Sequence, residues 1–409
     1  MNKVIATHLL LLAATVSSGC YATKIRNTAP PPVAAQAAQP LAEELLLDVG
    51  VGIFDPGVSL EDQDETKRNA RVSPELRKAE ARYMPQTLAT TLQNTGNWGV
   101  VRVIPERQSE MDVWVDGTIM ESDGERLKVR IAVQDASGKS WFTRVYQEEN
   151  GKYDYDKDFV RQNEPFQGLY NRIANDMLAH RKTLDAQEVK KLRTIAELKF
   201  AQRFSPEAFS EYLDVSKNGR SEIKRLPAQG DPLLERVRRI RERDNLFVDT
   251  LQDYYSSFAK HMREPYTRWR ADTYNEVRQV RQIESSRNKR IAGGILAGVV
   301  GVGAAVLSSG SGAMASTAGM MAGAVGLGAG GMLIKSGLDK RTEAKVHYEA
   351  LKEMSASLDA AIKPHTVSLE DRTVTLTGTV QEQYAQWREI LKNIYQTETG
   401  VAAGPGEAH

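Results

Sequence analysis

Residues 291–334, IAGGILAGVVGVGAAVLSSGSGAMASTAGMMAGAVGLGAGGMLI, carry no charge and no proline, and 13 of them are glycine. No other stretch limits the fold so strongly. As one helix it would be about 66 Å long, roughly twice a bilayer core. The SSGSG at 308–312 is a natural break. Each half is then roughly 17–22 residues, at the lower limit for a span. Small residues recur at every fourth position: Gly293, Ala297, Gly301 and Ala305, then Ala318, Ala322, Gly326 and Gly330. That spacing puts small side chains on one face and lets two backbones approach closely. Each glycine costs a helix about 1 kcal/mol relative to alanine, so tight packing has to offset the loss. The expectation is a helical hairpin packed through Gly293, Gly294, Gly298, Gly301, Gly319, Gly323, Gly326 and Gly330. Lys289-Arg290 precede the run and Lys335 and Lys340-Arg341 follow it, so a hairpin brings cations to one surface, where lipid phosphates could meet them. The competing readings are a soluble buried hairpin and a flexible linker; the interleaved Val, Ile, Leu and Met favour packing. Insertion into lipid and self-assembly stay open alternatives.

The N-terminus has one lysine, a short apolar run and then small residues, MNKVIATHLLLLAATVSSGC. This is a secretory-signal layout, too short to be a membrane span. It ends on Cys20, the only cysteine in 409 residues. One cysteine excludes an intrachain disulfide and a multi-cysteine metal site. Val16-Ser17-Ser18-Gly19-Cys20 resembles the bacterial lipobox, with Ser17 where leucine is usual. The resemblance implies removal of residues 1–19 and acylation of Cys20, several chains together holding firmly to a membrane. Tyr21 stands where an inner-membrane retention signal has aspartate, which implies the periplasmic face of the outer membrane. Residues 20–40, with three consecutive prolines, read as an extended tether.

From 41 to 163 the pattern becomes that of a folded domain. LLLDVGVGIF is a strand ending at the turn Pro56-Gly57. SPELRKAEARYMPQTLATTLQNTG is a helix with Ser73 as cap, Pro74 at its first position and Gly96 after its last turn. Pro85 is expected to kink or divide it. Strands follow at GVVRVIP, MDVWVDGTIMES, ERLKVRIAVQDA and KSWFTRVYQEE. Alternation puts Val113, Val115 and Gly117 on one face, and Leu127, Val129, Ile131 and Val133 on one face, which means one wet side and one buried side. The β-α-β-β-β-β order is that of an α+β sandwich with a mainly antiparallel sheet. Asp112-Val-Trp-Val-Asp-Gly-Thr-Ile119, with Val129 to Trp141 after it, resembles the group containing the TolB amino-terminal domain, the curli secretion lipoprotein CsgG and the penicillin-binding-protein activator LpoB. That resemblance implies a non-catalytic module that binds protein partners or oligomerises in the envelope. The glycine-rich run likewise resembles the glycine-zipper hairpins of envelope lipoproteins and pore-forming proteins.

Residues 164–290 read as a helical, coiled-coil region. NEPFQGLYNRIANDMLAHRKTLDAQEVKKLRTIAELKFAQRF is helical in pattern, with Leu169, Ile173 and Met177 four apart. A second helix is expected from Asp231-Pro232, with Leu233, Val237, Ile240, Phe247, Leu251, Tyr254 and Phe258 along its seam and Asp244 interrupting it. Glu264-Pro265 is expected to break or kink it, and a further helix then reaches Arg290. The arginines here alternate with acids, the mark of a salt-bridged helix face; nucleic acid is not an expected partner.

Residues 291–335 hold the hairpin and 336–409 the C-terminal unit: a helix stopped by Pro364 and running antiparallel to 267–290, a β-hairpin across Glu370-Asp371-Arg372, and an amphipathic helix through Trp387, Ile390, Leu391 and Ile394. Val367 and Leu369 are expected to oppose Val374, Leu376 and Val380. This αββα order with VTLTGTV resembles the front of a BON domain, a periplasmic lipid- or envelope-binding module. Asp154-Tyr-Asp156-Lys-Asp158 begins like a calcium loop, but Phe159 and Pro165 stand where glycine and glutamate are needed. Gly326-Leu-Gly328-Ala-Gly330-Gly331 follows no strand and has no Lys-Ser/Thr ending, so it is no phosphate loop. The six histidines form no HxH or HExxH pair. The expectation is an α+β chain with no cofactor, no metal and no catalytic site, in which a lipid at Cys20 and the 291–334 hairpin meet a membrane and the folded part meets an envelope protein or a second copy. The alternative is a pore-forming protein that inserts the hairpin.

Overall fold

In the computed structural model, the residues described are 32–57, 74–155, 164–305, 350, 352–353, 365–368 and 373–399. Those from Val33 onward belong to one unit, which starts after Pro32. Cys20, Ser73, Phe159, Leu369 and Gly319, Gly323, Gly326 and Gly330 lie outside the described residues, as does most of the helix expected over 336–364.

The chain is α+β, and the β-α-β-β-β-β order is present. Strand β1 (Val49–Gly52) leads to helix α1 (Pro74–Asn94), and β2 (Val101–Ile104), β3 (Val113–Ser122), β4 (Arg126–Asp135) and β5 (Ser140–Glu149) follow. They form one mixed sheet in the order β2-β1-β3-β4-β5. β1 runs parallel to both β2 and β3, whereas the longer β3-β4 and β4-β5 ladders are antiparallel. The alternation read in β4 is real: Leu127, Val129, Ile131 and Val133 are buried while Lys128 and Arg130 between them are not. Each such side chain adds about 1.5–3 kcal/mol on burial. Gly50 is required by the opposite face, where a Cβ would stand 2.7 Å from the Trp114 ring. α1 packs on β1–β3, and α2 (Gln167–Arg181) packs on β5 and α1.

Pro85 does not divide α1, which runs unbroken from 74 to 94. A proline deprives the carbonyl four residues earlier of its helical partner. That carbonyl, Ala81, accepts instead from the Phe54 N–H at 2.9 Å, so the defect is repaired from the loop after β1.

The segment 167–204 is two helices. α2 ends at Arg181, and α3 (Ala186–Phe204) restarts on a capping box in which Asp185 accepts from the Glu188 N–H and Glu188 from the Asp185 N–H. After the short α4 (Pro206–Phe209), a hairpin of β6 (Leu213–Val215) and β7 (Ser221–Ile223) was not expected; its ladder is three residue pairs long, too short to show alternation.

The long helix α5 (Pro232–Ala305) starts on Asp231, whose Oδ1 accepts from the Leu233 and Leu234 N–H groups. Pro265 does not break it: the helix is continuous through that residue. Its neighbours Met262, Tyr266, Trp269 and Arg270 are all buried, so packing on both sides holds the helix across the proline. The buried stripe uses Leu234 and Tyr255 where the sequence pointed to Leu233 and Tyr254. Leu233 is 38% exposed. α5 packs on α1, α3 and β2. Its Gln252 carboxamide pairs with edge strand β2, accepting from the Val103 N–H and donating to the Val103 carbonyl, both at 2.8 Å. The C-terminal hairpin pairs β8 (His365–Ser368) with β9 (Thr373–Leu376), and Val367 opposes Val374 as expected. Leu376, however, opposes His365, and Val380 opens helix α6 (Val380–Thr399), where Thr379 and Glu382 form a capping box. One hydrophobic core runs from Leu47 to Tyr395, through all these elements.

Candidate functional site: the seat of the long helix

Among the charged side chains that fix α5 to the other described residues, three sets stand out. The first surrounds Pro265. Arg270 is 1% exposed, and its guanidinium forks onto Glu164 at 2.7 and 3.1 Å. Tyr83 on α1 donates to the same carboxylate at 2.7 Å. The guanidinium also stacks 4.0 Å from the centre of the Tyr266 ring. Burial alone would raise the Glu164 carboxyl, but Arg270 and the donated hydrogen bonds outweigh it and hold the group below its ordinary range. Burial would likewise weaken Arg270 as a base, but Glu164 keeps it charged. Beside this pair, Tyr266 and Ser122 both donate to Glu80 at 2.6 Å, and Arg77 lies 3.5 Å from the same carboxylate. Helix α1, the end of β3, the segment before α2 and the long helix are thereby tied together.

The second set joins α5 to the C-terminal unit. Arg388 on α6 reaches Asp244 at 2.5 Å and Glu110 at 2.8 Å, and Arg203 on α3 reaches Glu110 at 2.8 Å. Asp244, the seam interruption in the sequence, is therefore a buried ion-pair member. Burial would raise Glu110, but Arg388 and Arg203 together hold it low. Asp244 shares Arg388 with Glu110; burial and the neighbouring Glu110 charge keep it above its ordinary range despite that guanidinium. Arg388 itself is held charged by both acids against its own desolvation. Gln108 donates to Tyr384, and Phe247 stacks on Trp387 with centroids 5.0 Å apart.

The third set is furthest along the helix. Arg281 pairs with Glu121 at 2.6 Å, with Asp123 at 2.7 Å and with Glu125, all at the β3-β4 turn. Residues 282–305 add roughly 36 Å of helix beyond this clasp. Gly293, Gly294, Gly298 and Gly301 are in that last part, so the structure joins four of the eight glycines singled out in the sequence to the seat by unbroken backbone. Among the described residues, no helix is long and apolar enough to cross a membrane.

The buried arginines and acids were not identified from sequence. Asp244 in an apolar seam was one usable signal; Arg270 and Glu164 gave none, being 106 residues apart. The alternating arginines of α5 do meet acids, as Arg238 with Glu197 and Glu235, and Arg243 with Glu398. Chemically, the seat is an arrangement of neutralised pairs that orients a helix. Among the described residues, no cluster of His, Cys, Asp and Glu could hold a metal ion.

No family model matches this chain, and no curated protein does. Among solved structures, a chain of the dodecamer formed by a point variant of PelC from Paraburkholderia phytofirmans is similar over 40% of this chain and 95% of its own, at 14% identity and a TM-score of 0.18, which is too low to carry an argument.

Proposed function

We propose that this chain is a lipid-anchored protein of the outer membrane, facing the periplasm, that acts without catalysis as an envelope assembly, scaffold or secretion-accessory component. Cys20 is its lipid attachment, and the glycine-rich run is a second membrane contact or an oligomer core. The observation that carries this reading is the continuity of α5. A helix held by buried ion pairs at Glu164 and Asp244 and by a half-buried cluster at the β3-β4 turn continues into Gly293, Gly294, Gly298 and Gly301. A flexible linker would have no need of such a seat. The lipobox-like residues before Cys20 support the anchor, and the envelope-module resemblance of 112–141 supports a protein partner or a second copy. No nucleic acid is proposed as a partner, since the arginines of α5 named above face acids.

The test is metabolic labelling with palmitate, followed by membrane fractionation of the wild type, Cys20→Ala, a chain lacking 291–334 and the double change. The expected result is label on the wild type only at Cys20, and release from membranes only in the double change. An unlabelled wild type would refute the anchor, and full release by Cys20→Ala alone would refute the membrane contact in favour of the oligomer core.

A further inference from the structure

The sequence assigned residues 33–37 to a free tether, but the structure holds them as a bound peptide. Asn175 on α2 donates to the Val33 carbonyl at 3.0 Å and accepts from the Ala35 N–H at 2.8 Å. One carboxamide thus reads a donor and an acceptor two residues apart, as a neighbouring strand would. Asn97 donates to the Ala35 carbonyl at 2.8 Å, and the Ala37 N–H donates to the Thr95 carbonyl at 2.8 Å. Thr95 and Asn97 flank Gly96, whose φ of +66° ends helix α1. The strap therefore takes one of the carbonyls that a helix C-terminus leaves over. Ala34 is 8% exposed whereas Val33 is 80% exposed. Recognition is by main chain, with space for one small side chain.

We propose that the groove between the C-terminus of α1 and α2 is a binding site for an extended peptide with small side chains, and that residues 33–37 occupy it in cis as a releasable strap. Two observations favour release. The four hydrogen bonds and one buried methyl oppose the cost of ordering five residues, and these contributions are of similar size and opposite sign. A cleft of about 610 Å³ also lies directly beside the strap, lined by Gln86, Thr90, Asn94 and Gln167. It gives an incoming chain space next to the occupied groove. Gln86 Oε1 is buried there with no hydrogen-bond partner among the described residues. No ionisable group takes part in the four bonds, so docking is expected to be insensitive to salt and pH. The inference does not depend on lipid at Cys20. If the proposed anchor is also correct, release lengthens the chain between lipid and folded body, since among the described residues the next hydrogen bond from the body to this segment is Arg193 to the Glu43 carbonyl.

Two measurements test it. Hydrogen exchange of the whole wild-type chain is expected to show the Ala35 and Ala37 amides exchanging at least about tenfold faster than those of β3 and β4, yet more slowly than an unprotected peptide. Exchange only at the rate of the β3 and β4 amides, or with no protection, overturns the proposal. In the second measurement, Ala35→Pro removes the N–H that Asn175 accepts from and empties the groove. A labelled peptide Pro-Val-Ala-Ala-Gln-Ala-Ala is expected to bind Ala35→Pro about tenfold or more tightly than wild type, where the tethered strap competes at high effective concentration. Adding Asn175→Ala is expected to abolish that binding. No binding to an Ala35→Pro chain whose circular dichroism and melting match wild type overturns the proposal. If that variant fails to fold, the exchange measurement decides.

Discussion

Replacing Arg270 with methionine tests the physical basis of the seat. The change keeps much of the side-chain length and removes the charge. Arg270 and Glu164 are 1% and 7% exposed at their side chains, so solvent screens little of what is lost. Breaking a buried pair of this kind costs about 3–5 kcal/mol, chiefly because the remaining charge is uncompensated. Losing the guanidinium from the Tyr266 ring adds about 0.5–2 kcal/mol. If the cost is Glu164's stranded charge, neutralising it has to restore stability. Glu164→Gln retains an acceptor for Tyr83, and the double variant is expected to recover about 2 kcal/mol or more of the single loss. The readout is the urea midpoint, followed by tryptophan fluorescence at constant slope. The pH dependence is a second check. In the wild type Glu164 is held below its unfolded value, so its contribution is present above about pH 4.3 and lost as pH falls through the folded value. Without Arg270 the same carboxyl is raised by burial, and its penalty is present at neutral pH and relieved on acidification. The gap between wild type and Arg270→Met is therefore expected to be largest at pH 7–8 and to shrink below about pH 4. An equal gap at every pH, or a double variant no more stable than Arg270→Met, would refute the reasoning.

Asp112 is pushed by burial, with help from Asp48, up to about 6, against the hydrogen bond from the Asp48 N–H. Its native state binds the proton more tightly than the unfolded chain, so stability falls as pH rises from about 4 to about 6, and the full penalty is present above that. Asp112→Asn is expected to raise stability at pH 7.5 by about 3 kcal/mol at most and to change little at pH 4; destabilisation at pH 7.5 in a denaturant series would count against it. Arg281→Glu adds a fourth acid where Glu121, Asp123 and Glu125 now share one guanidinium. Amide exchange over 269–281 is expected to accelerate about tenfold, equivalent to ~1.4 kcal/mol, while that of β4 stays unchanged; unchanged exchange at 269–281 would show that the clasp does not hold the helix.

The sheet was legible because period-two alternation reports one buried face directly, as at Leu127 to Val133. The class and the element order followed from it. The parallel pairing of β1 was less visible, since VGVG is buried at every position and short. Neither proline ends its helix, and for one reason: a propensity penalty of about 3 kcal/mol is local, whereas its compensation comes from residues distant in sequence. At Pro85 the compensating group is Phe54, and at Pro265 it is the packing around Tyr266 and Arg270. The buried stripe of α5 was misplaced by one residue at each of two doublets, Leu233-Leu234 and Tyr254-Tyr255, where either neighbour satisfies the pattern. The ion pairs were illegible because an arginine on a long helix reads as solvated whether its acid is one turn or 106 residues away.

The seat and the glycine run pose complementary energetic problems. Gly293, Gly294, Gly298, Gly301 and Gly303 all belong to α5. Relative to alanine they cost roughly 5 kcal/mol of helix. The seat removes the nucleation cost, because helix beyond Arg281 only has to propagate from turns already held by Glu121, Asp123 and Glu125. It does nothing for the per-residue deficit, which accumulates past the last clasp. On the proposed reading a cover over the glycine face offsets that deficit, and close backbone approach is what glycine at four-residue spacing permits. The second half of the run, a second copy of the chain and neighbouring helices in a membrane all supply such a surface; water does not. On the reading proposed above, a seated helix that grows less self-sufficient along its length is where a partner would be met, and the arginine clasps fix the helix that meets it.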